Sequence, residues 1–242
     1  EGAALPYGET EYTPSANVHG PEGLGDLETV PQIGQNVDET AAQFLVRMAA
    51  QHKGELVVCA VAPLTNIADA LALDPAFATN IKELVIMGGA YKHNGNITPY
   101  AEAYSFHDAK AADVVFATDM PIKMIGLDAT MLTLLTPHDF HEVAAAAPKI
   151  GGFIEHISKF YLEFYRSVGV TNGCPMHDAT AVLACTHPEN FTFEAVGLRV
   201  ILDGDEIGQT VADPSRPAVE VAVGVQGKWA VDLFKERVIS LG

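Results

Sequence analysis

The chain has 242 residues, 48% of them hydrophobic, which suits one α/β domain with a large core. A net charge of −17 excludes the basic patch of a nucleic-acid binder and suits a neutral or cationic ligand, or a bound cation. No apolar stretch is long enough to span a membrane and Glu1 opens no signal peptide, so a cytoplasmic protein is expected.

Residues 1–38 are rich in Gly, Pro and acids without a period and read as a long loop. From Glu39 to His52, Ala42, Leu45, Val46 and Ala49 recur at helical spacing. Glu55 to Ala62 is a continuous apolar run, expected as a strand buried on both faces, as in a parallel sheet. A helix is expected over 64–73, stopped by Asp74-Pro75, and a second buried strand over 84–87, ended by Gly88-Gly89. Residues 109–118 predict a helix and 122–125 a third strand. Thr136-Pro137 opens a further helix, with more over 150–168 and 178–185. Two strands, 195–202 and 218–225, then flank the turn Asp203-Gly204, and a helix over 227–241 closes the chain. Alternating strands and helices imply βαβ units, so the expected fold class is α/β, a Rossmann-like and mostly parallel sheet flanked by helices. With no repeat and no linker, residues 1–242 read as a single domain.

Ligands of open α/β sheets bind at the carboxyl ends of the strands, which selects Pro63–Asn66, the segment from Gly88 to Asp108, Gly126–Asp128 and the loop from Thr171 to Asp178. The segment 92–108 holds Asn94, Asn96, Glu102, Tyr104, His107 and Asp108. Asn and Glu together offer donors and acceptors to vicinal sugar hydroxyls; the plain alternative is a solvated polar loop. Asp178 reads either as a helix cap or as a hard-cation ligand, and His177 as a general acid. His19 in its Gly-rich loop either lines a pocket or is exposed. Cys174 could pair with His177 as a nucleophile, while Cys59 and Cys185 read as core and no disulfide framework is suggested. Tyr161, Phe164 and Tyr165 form an aromatic stripe that is either core or part of a pocket.

At these residues the chain resembles the inosine–uridine-preferring nucleoside hydrolase family. The motifs are VHGPEGLGD (18–26), APLTNIADAL (62–71), KELVIMGGAY (82–91), GNITPYAEA (95–103), DAKAADVVF (108–116), IGLDAT (125–130), MHDATAV (176–182) and TVADPSRP (210–217). The resemblance implies hydrolysis of ribonucleosides to ribose and free base, with one bound Ca²⁺, a small-molecule nucleoside as partner, and a homo-oligomer, dimer or tetramer. It implies that Asn96 and Glu102 bind ribose hydroxyls and that Asp178 and the backbone carbonyl of Val61 ligate calcium. It places His177 where a histidine helps the base leave, and His19 on the nucleobase side of the pocket. Such chemistry passes through an oxocarbenium-like sugar, which carboxylates and oriented contacts stabilise.

Two departures from the family pattern stand out. The family's aspartate cluster, DxDxxxDD, provides calcium ligands and the base that activates water, and no such cluster occurs in these residues. The first matching motif falls after the family's opening βαβ unit, so the chain is expected to be N-terminally incomplete. Tyr104 stands where the family usually has Asn, which changes one ribose contact. The alternative to an enzyme is a non-catalytic homologue acting as a binding or structural subunit; a weaker one is a different α/β hydrolase acting on a small sugar conjugate.

Overall fold

A computed structural model describes residues 1–27 and 37–242. Residues 28–36, part of the expected loop 1–38, lie outside the described residues. In chain order the first elements are α1 (Ala16–His19), α2 (Ala41–Gln51), β1 (Val57–Ala60), α3 (Thr65–Leu73), α4 (Phe77–Asn80) and β2 (Glu83–Met87). Then come α5 (Ala103–His107), α6 (Ala109–Phe116), β3 (Ile122–Ile125), α7 (Leu127–Thr130), β4 (Leu134–Leu135), α8 (Pro137–Ala146) and α9 (Ile150–Ser167). The chain ends with β5 (Cys174–Pro175), α10 (His177–Thr186), β6 (Phe191–Val200), β7 (Thr210–Ala212), β8 (Ala218–Val225) and α11 (Gly227–Ile239).

The described residues pack as two compact units: 1–12, 37–130 and 177–225 in the first, and 13–27, 131–176 and 226–242 in the second. The first unit is built on a six-stranded sheet of order β1-β2-β3-β8-β6-β7. Neighbours among β1, β2, β3 and β8 run parallel, whereas β6 is antiparallel to both β8 and β7. Leu84 to Met87 are buried on both faces, as a central parallel strand requires. β1 departs from the expectation. All four of its residues are only half-buried, because among the described residues it has one strand neighbour and forms the sheet edge.

Local sequence explains several boundaries. Thr40 caps α2 in a reciprocal box with Gln43, satisfying two backbone donors that a helix start leaves orphaned. Thr136 and Asp139 form the same box at α8, with Pro137 in its first turn. Residues 1–12 are tied to the sheet by Asp108, a buried carboxylate that accepts from Tyr7 N at 2.6 Å, Thr65 Oγ1 at 2.5 Å and Ala111 N at 3.0 Å. Asp108 also caps α6.

The second unit packs α8, α9 and α11, with the short antiparallel pair β4–β5. Phe140, Val143, Tyr165, Ala230 and Val238 are buried there. Lys235 of α11 bridges Asp139 at 2.8 Å and pairs with Glu142. Among the described residues no helix is long and apolar enough to cross a membrane.

Candidate active site

The turn after β2 orients the polar segment behind it. Gly88 and Gly89 have φ of +147° and +79°, a region that side chains avoid. A Cβ on Gly89 would meet Met124 Sδ at 2.7 Å, and one on Gly126 would meet the Gly89 carbonyl oxygen at 2.5 Å. The turns after β2 and β3 therefore touch backbone to backbone. Two side chains fix the rest. Buried Thr210 accepts from Ala90 N at 2.9 Å and donates to Ala90 O at 2.6 Å. Asp128 of α7 accepts from Tyr91 N at 2.8 Å and Lys92 N at 2.6 Å.

This turn presents the Gly89 N–H to Glu102. The carboxylate is 2% exposed, and a single oxygen, Oε2, accepts from Gly89 N at 2.9 Å, Tyr104 N at 3.0 Å and Ser105 N at 3.2 Å. Glu102 is thereby the N-cap of α5, a helix absent from the sequence expectation, which runs 92–108 as loop. Burial pushes its carboxyl above the usual carboxylate range, against the pull of the three N–H groups. Oε1 carries none of these bonds and is left to accept from a hydroxyl.

Asn96 lies on the same excursion and is exposed. Its Oδ1 accepts from Ala103 N at 2.9 Å. Because a backbone N–H can only donate, the carbonyl end of the amide is spoken for and the NH₂ end remains a donor.

Tyr104 joins this segment to α10. Its hydroxyl donates to the carboxylate of Asp178, with Oδ1 at 3.3 Å and Oδ2 at 3.2 Å. Burial pushes Asp178 up to about 6, with the Tyr104 hydrogen bond pulling the other way. Burial and the facing Asp178 raise the Tyr104 phenol. The carboxylate thus meets the phenol across the site, where a helix-cap role was one reading. His177, the first residue of α10, sets its Nδ1 at 2.7 Å from Thr130 Oγ1, and Thr130 is fully buried, so the ring is oriented from behind.

The structure therefore brings Asn96, Glu102, Tyr104, His177 and Asp178 into one region of the first unit, through the 88–104 excursion and the start of α10. Val61 directly follows β1, at the carboxyl end of that strand. His19 belongs to the second unit and is exposed at the end of α1. It stacks on Tyr161 with centroids 5.3 Å apart and planes 16° apart. Tyr161 meets Tyr165 edge-on at 4.8 Å. The stripe on α9 divides: Tyr165 is core, and Tyr161 is a half-buried platform for His19.

Cys174 is 2% exposed and burial pushes its thiol up to about 12, so it is no nucleophile at neutral pH. The supporting groups Thr130 and Thr210 escape sequence reasoning as site residues, and Asp128 is selected there only as part of the loop Gly126–Asp128. The motifs IGLDAT and TVADPSRP contain them, but only the fold shows what they hold.

A calcium ion takes six to eight oxygen ligands. Of the expected donor set, this chain provides the Asp178 carboxylate and the Val61 carbonyl. Among the described residues, no three His, Cys, Asp or Glu side chains gather into a metal-holding group. That set does not by itself fit the ion.

The profile of the inosine-uridine preferring nucleoside hydrolases matches residues 1–232. A probable uridine nucleosidase 1 of Oryza sativa subsp. japonica is 35% identical over 213 residues, 88% of this chain and 66% of that protein. The pyrimidine-specific ribonucleoside hydrolase RihB of Escherichia coli O157:H7 is 32% identical over 92% of this chain and 72% of its own length. The chain thus spans about two thirds of the length of these curated relatives. Among solved structures, the purine-preferring ribonucleoside hydrolase from Gardnerella vaginalis superposes with a TM-score of 0.94 at 30% identity, covering 100% of this chain and 79% of that one. With ordered motifs, a parallel sheet and a profile match across nearly its whole length, the chain belongs to the inosine-uridine preferring nucleoside hydrolase family.

Proposed function

We propose that this chain hydrolyses the N-glycosidic bond of ribonucleosides, releasing ribose and the free base. The observation that carries the reading is Glu102: a carboxylate 2% exposed, held by three N–H groups on one oxygen, with the other left for a hydroxyl. Nearly full burial of a carboxylate held by neutral donors is costly, and such positions concentrate at functional sites.

The geometry supports the following roles. Glu102 Oε1 accepts from a ribose hydroxyl, and the Asn96 amide donates to a sugar oxygen. As the glycosidic bond lengthens, positive charge develops on the sugar ring, and the carboxylates of Glu102 and Asp178 stabilise it. His177, oriented by Thr130, donates a proton to the departing base, while a water molecule adds to the anomeric carbon and loses a proton to solvent, giving ribose. His19 stacks on Tyr161 within the second unit. No step is assigned to calcium, because the residues present do not make its site. The relatives' names divide between uridine, pyrimidine and purine substrates, so the reading commits to ribonucleosides as a class.

His177→Ala tests the leaving-group role. It is expected to slow release of hypoxanthine from inosine and of uracil from uridine by about 10²- to 10⁴-fold, the usual contribution of a positioned acid. Hydrolysis of 4-nitrophenyl riboside, whose leaving group departs without a proton, should be nearly unchanged. Equal slowing of all three substrates would give His177 a different role.

A further inference from the structure

The Tyr104–Asp178 contact has an unusual shape. The phenol oxygen is nearly equidistant from the two carboxylate oxygens, at 3.3 and 3.2 Å, and so sits on the bisector of the carboxylate. That is the place a cation takes when a carboxylate binds it with both oxygens. Asp178 is half-buried, and the Tyr104 hydroxyl is its side-chain partner among the described residues. The phenol is held there from its own backbone: the Tyr104 N–H donates to buried Glu102 at 3.0 Å, and the residue lies in the first turn of α5 that Glu102 caps.

We propose that Tyr104 is a specificity-determining residue that occupies the cation position on Asp178, so that the phenol and a two-oxygen-bound divalent cation exclude one another. A shorter side chain at 104, such as asparagine, ends well before the phenol oxygen and leaves Asp178 open. The inference rests on the proposed function only in assigning Asp178 to the site. Cation binding here requires Tyr104 to swing away and give up its hydrogen bond to Asp178.

The test is calcium binding measured by titration calorimetry on the 242-residue chain, with Tyr104→Phe, Tyr104→Asn, and each of these combined with Asp178→Asn. Circular dichroism spectra confirm that each variant is folded. Tyr104→Phe removes the hydroxyl and is expected to tighten calcium binding about tenfold or more. Tyr104→Asn, which clears the space as well, should do at least as much, and adding Asp178→Asn should abolish both gains. Equal calcium affinity in the wild type and both single variants, including no binding in any of them, would overturn the proposal. So would a gain that survives Asp178→Asn. Nucleoside turnover is not part of this readout, so an inactive wild type would count against the proposed function and leave this test intact.

Discussion

Glu102→Gln is expected to lower kcat/KM for inosine and uridine by about 100- to 1000-fold, the scale of losing one preorganised charge-stabilising group, while the protein stays folded. The two ends of the side chain explain why. Three backbone donors converge on Oε2, from Gly89, Tyr104 and Ser105. In a glutamine only the carbonyl oxygen can satisfy them, so the amide nitrogen must take the place of Oε1. A donor then stands where a sugar hydroxyl needs an acceptor, and the negative charge that faces the developing cation is gone. The fold should not suffer. Burial already disfavours the charged carboxyl, so a neutral side chain with the same bonds matches or slightly raises thermal stability. Glu102→Ala behaves differently, because it orphans three donors at the start of α5 and costs stability as well as activity. Steady-state kinetics paired with a thermal melt separates the two. An unchanged kcat/KM in Glu102→Gln would remove Glu102 from the site.

Gly126→Ala carries a large expected structural effect at the site. The added methyl would lie 2.5 Å from the Gly89 carbonyl oxygen and 3.1 Å from its carbon, both backbone atoms that no rotamer change can move. Relief requires the turns after β2 and β3 to part. The turn after β2 is pinned on its other sides by Thr210 and Asp128, so it cannot shift freely. Overpacking of this kind costs about 3 kcal/mol or more, which in a chain of this size lowers the melting temperature by about 6–12 °C. The same displacement withdraws the Gly89 N–H from Glu102, so activity in the surviving folded fraction falls with stability. A melting temperature within about 2 °C of wild type would show that this backbone contact does not constrain the site.

Much of the fold is legible in the residues because it is local. The strands over 84–87 and 122–125 are short apolar runs ended by glycine, and α9 and α11 show in their spacing. The capping box at Thr40 and Pro137 in the first turn of α8 mark helix starts by chemistry within four residues. What escapes a reading of the chain depends on residues far apart in it. α5 is hidden because it has five residues and its cap is a glutamate whose other partner, Gly89, lies thirteen residues upstream. β7 is hidden because three residues give no period, and it is held by pairing with β6. β1 has the composition of a fully buried central strand; burial is set by neighbours, and among the described residues it has one. Thr210 holds Ala90 across 120 residues, and Tyr104 reaches Asp178 across 74. Tyr104 stands out in the sequence as a departure at a sugar contact, but the destination of its hydroxyl emerges only from the folded loops. The grouping of Asn96, Glu102, His177 and Asp178 is read from motif resemblance, and their hydrogen bonds give it a physical basis.

The central claim is tested most directly by incubating the 242-residue chain with inosine and with uridine, with and without calcium, and measuring reducing sugar and free base together. At least one nucleoside is predicted to yield ribose and base in equal amounts, and Glu102→Gln to lower both signals in parallel. Neither product from either nucleoside at high protein concentration, from folded chain of confirmed mass, would contradict hydrolysis and favour a binding homologue over an enzyme.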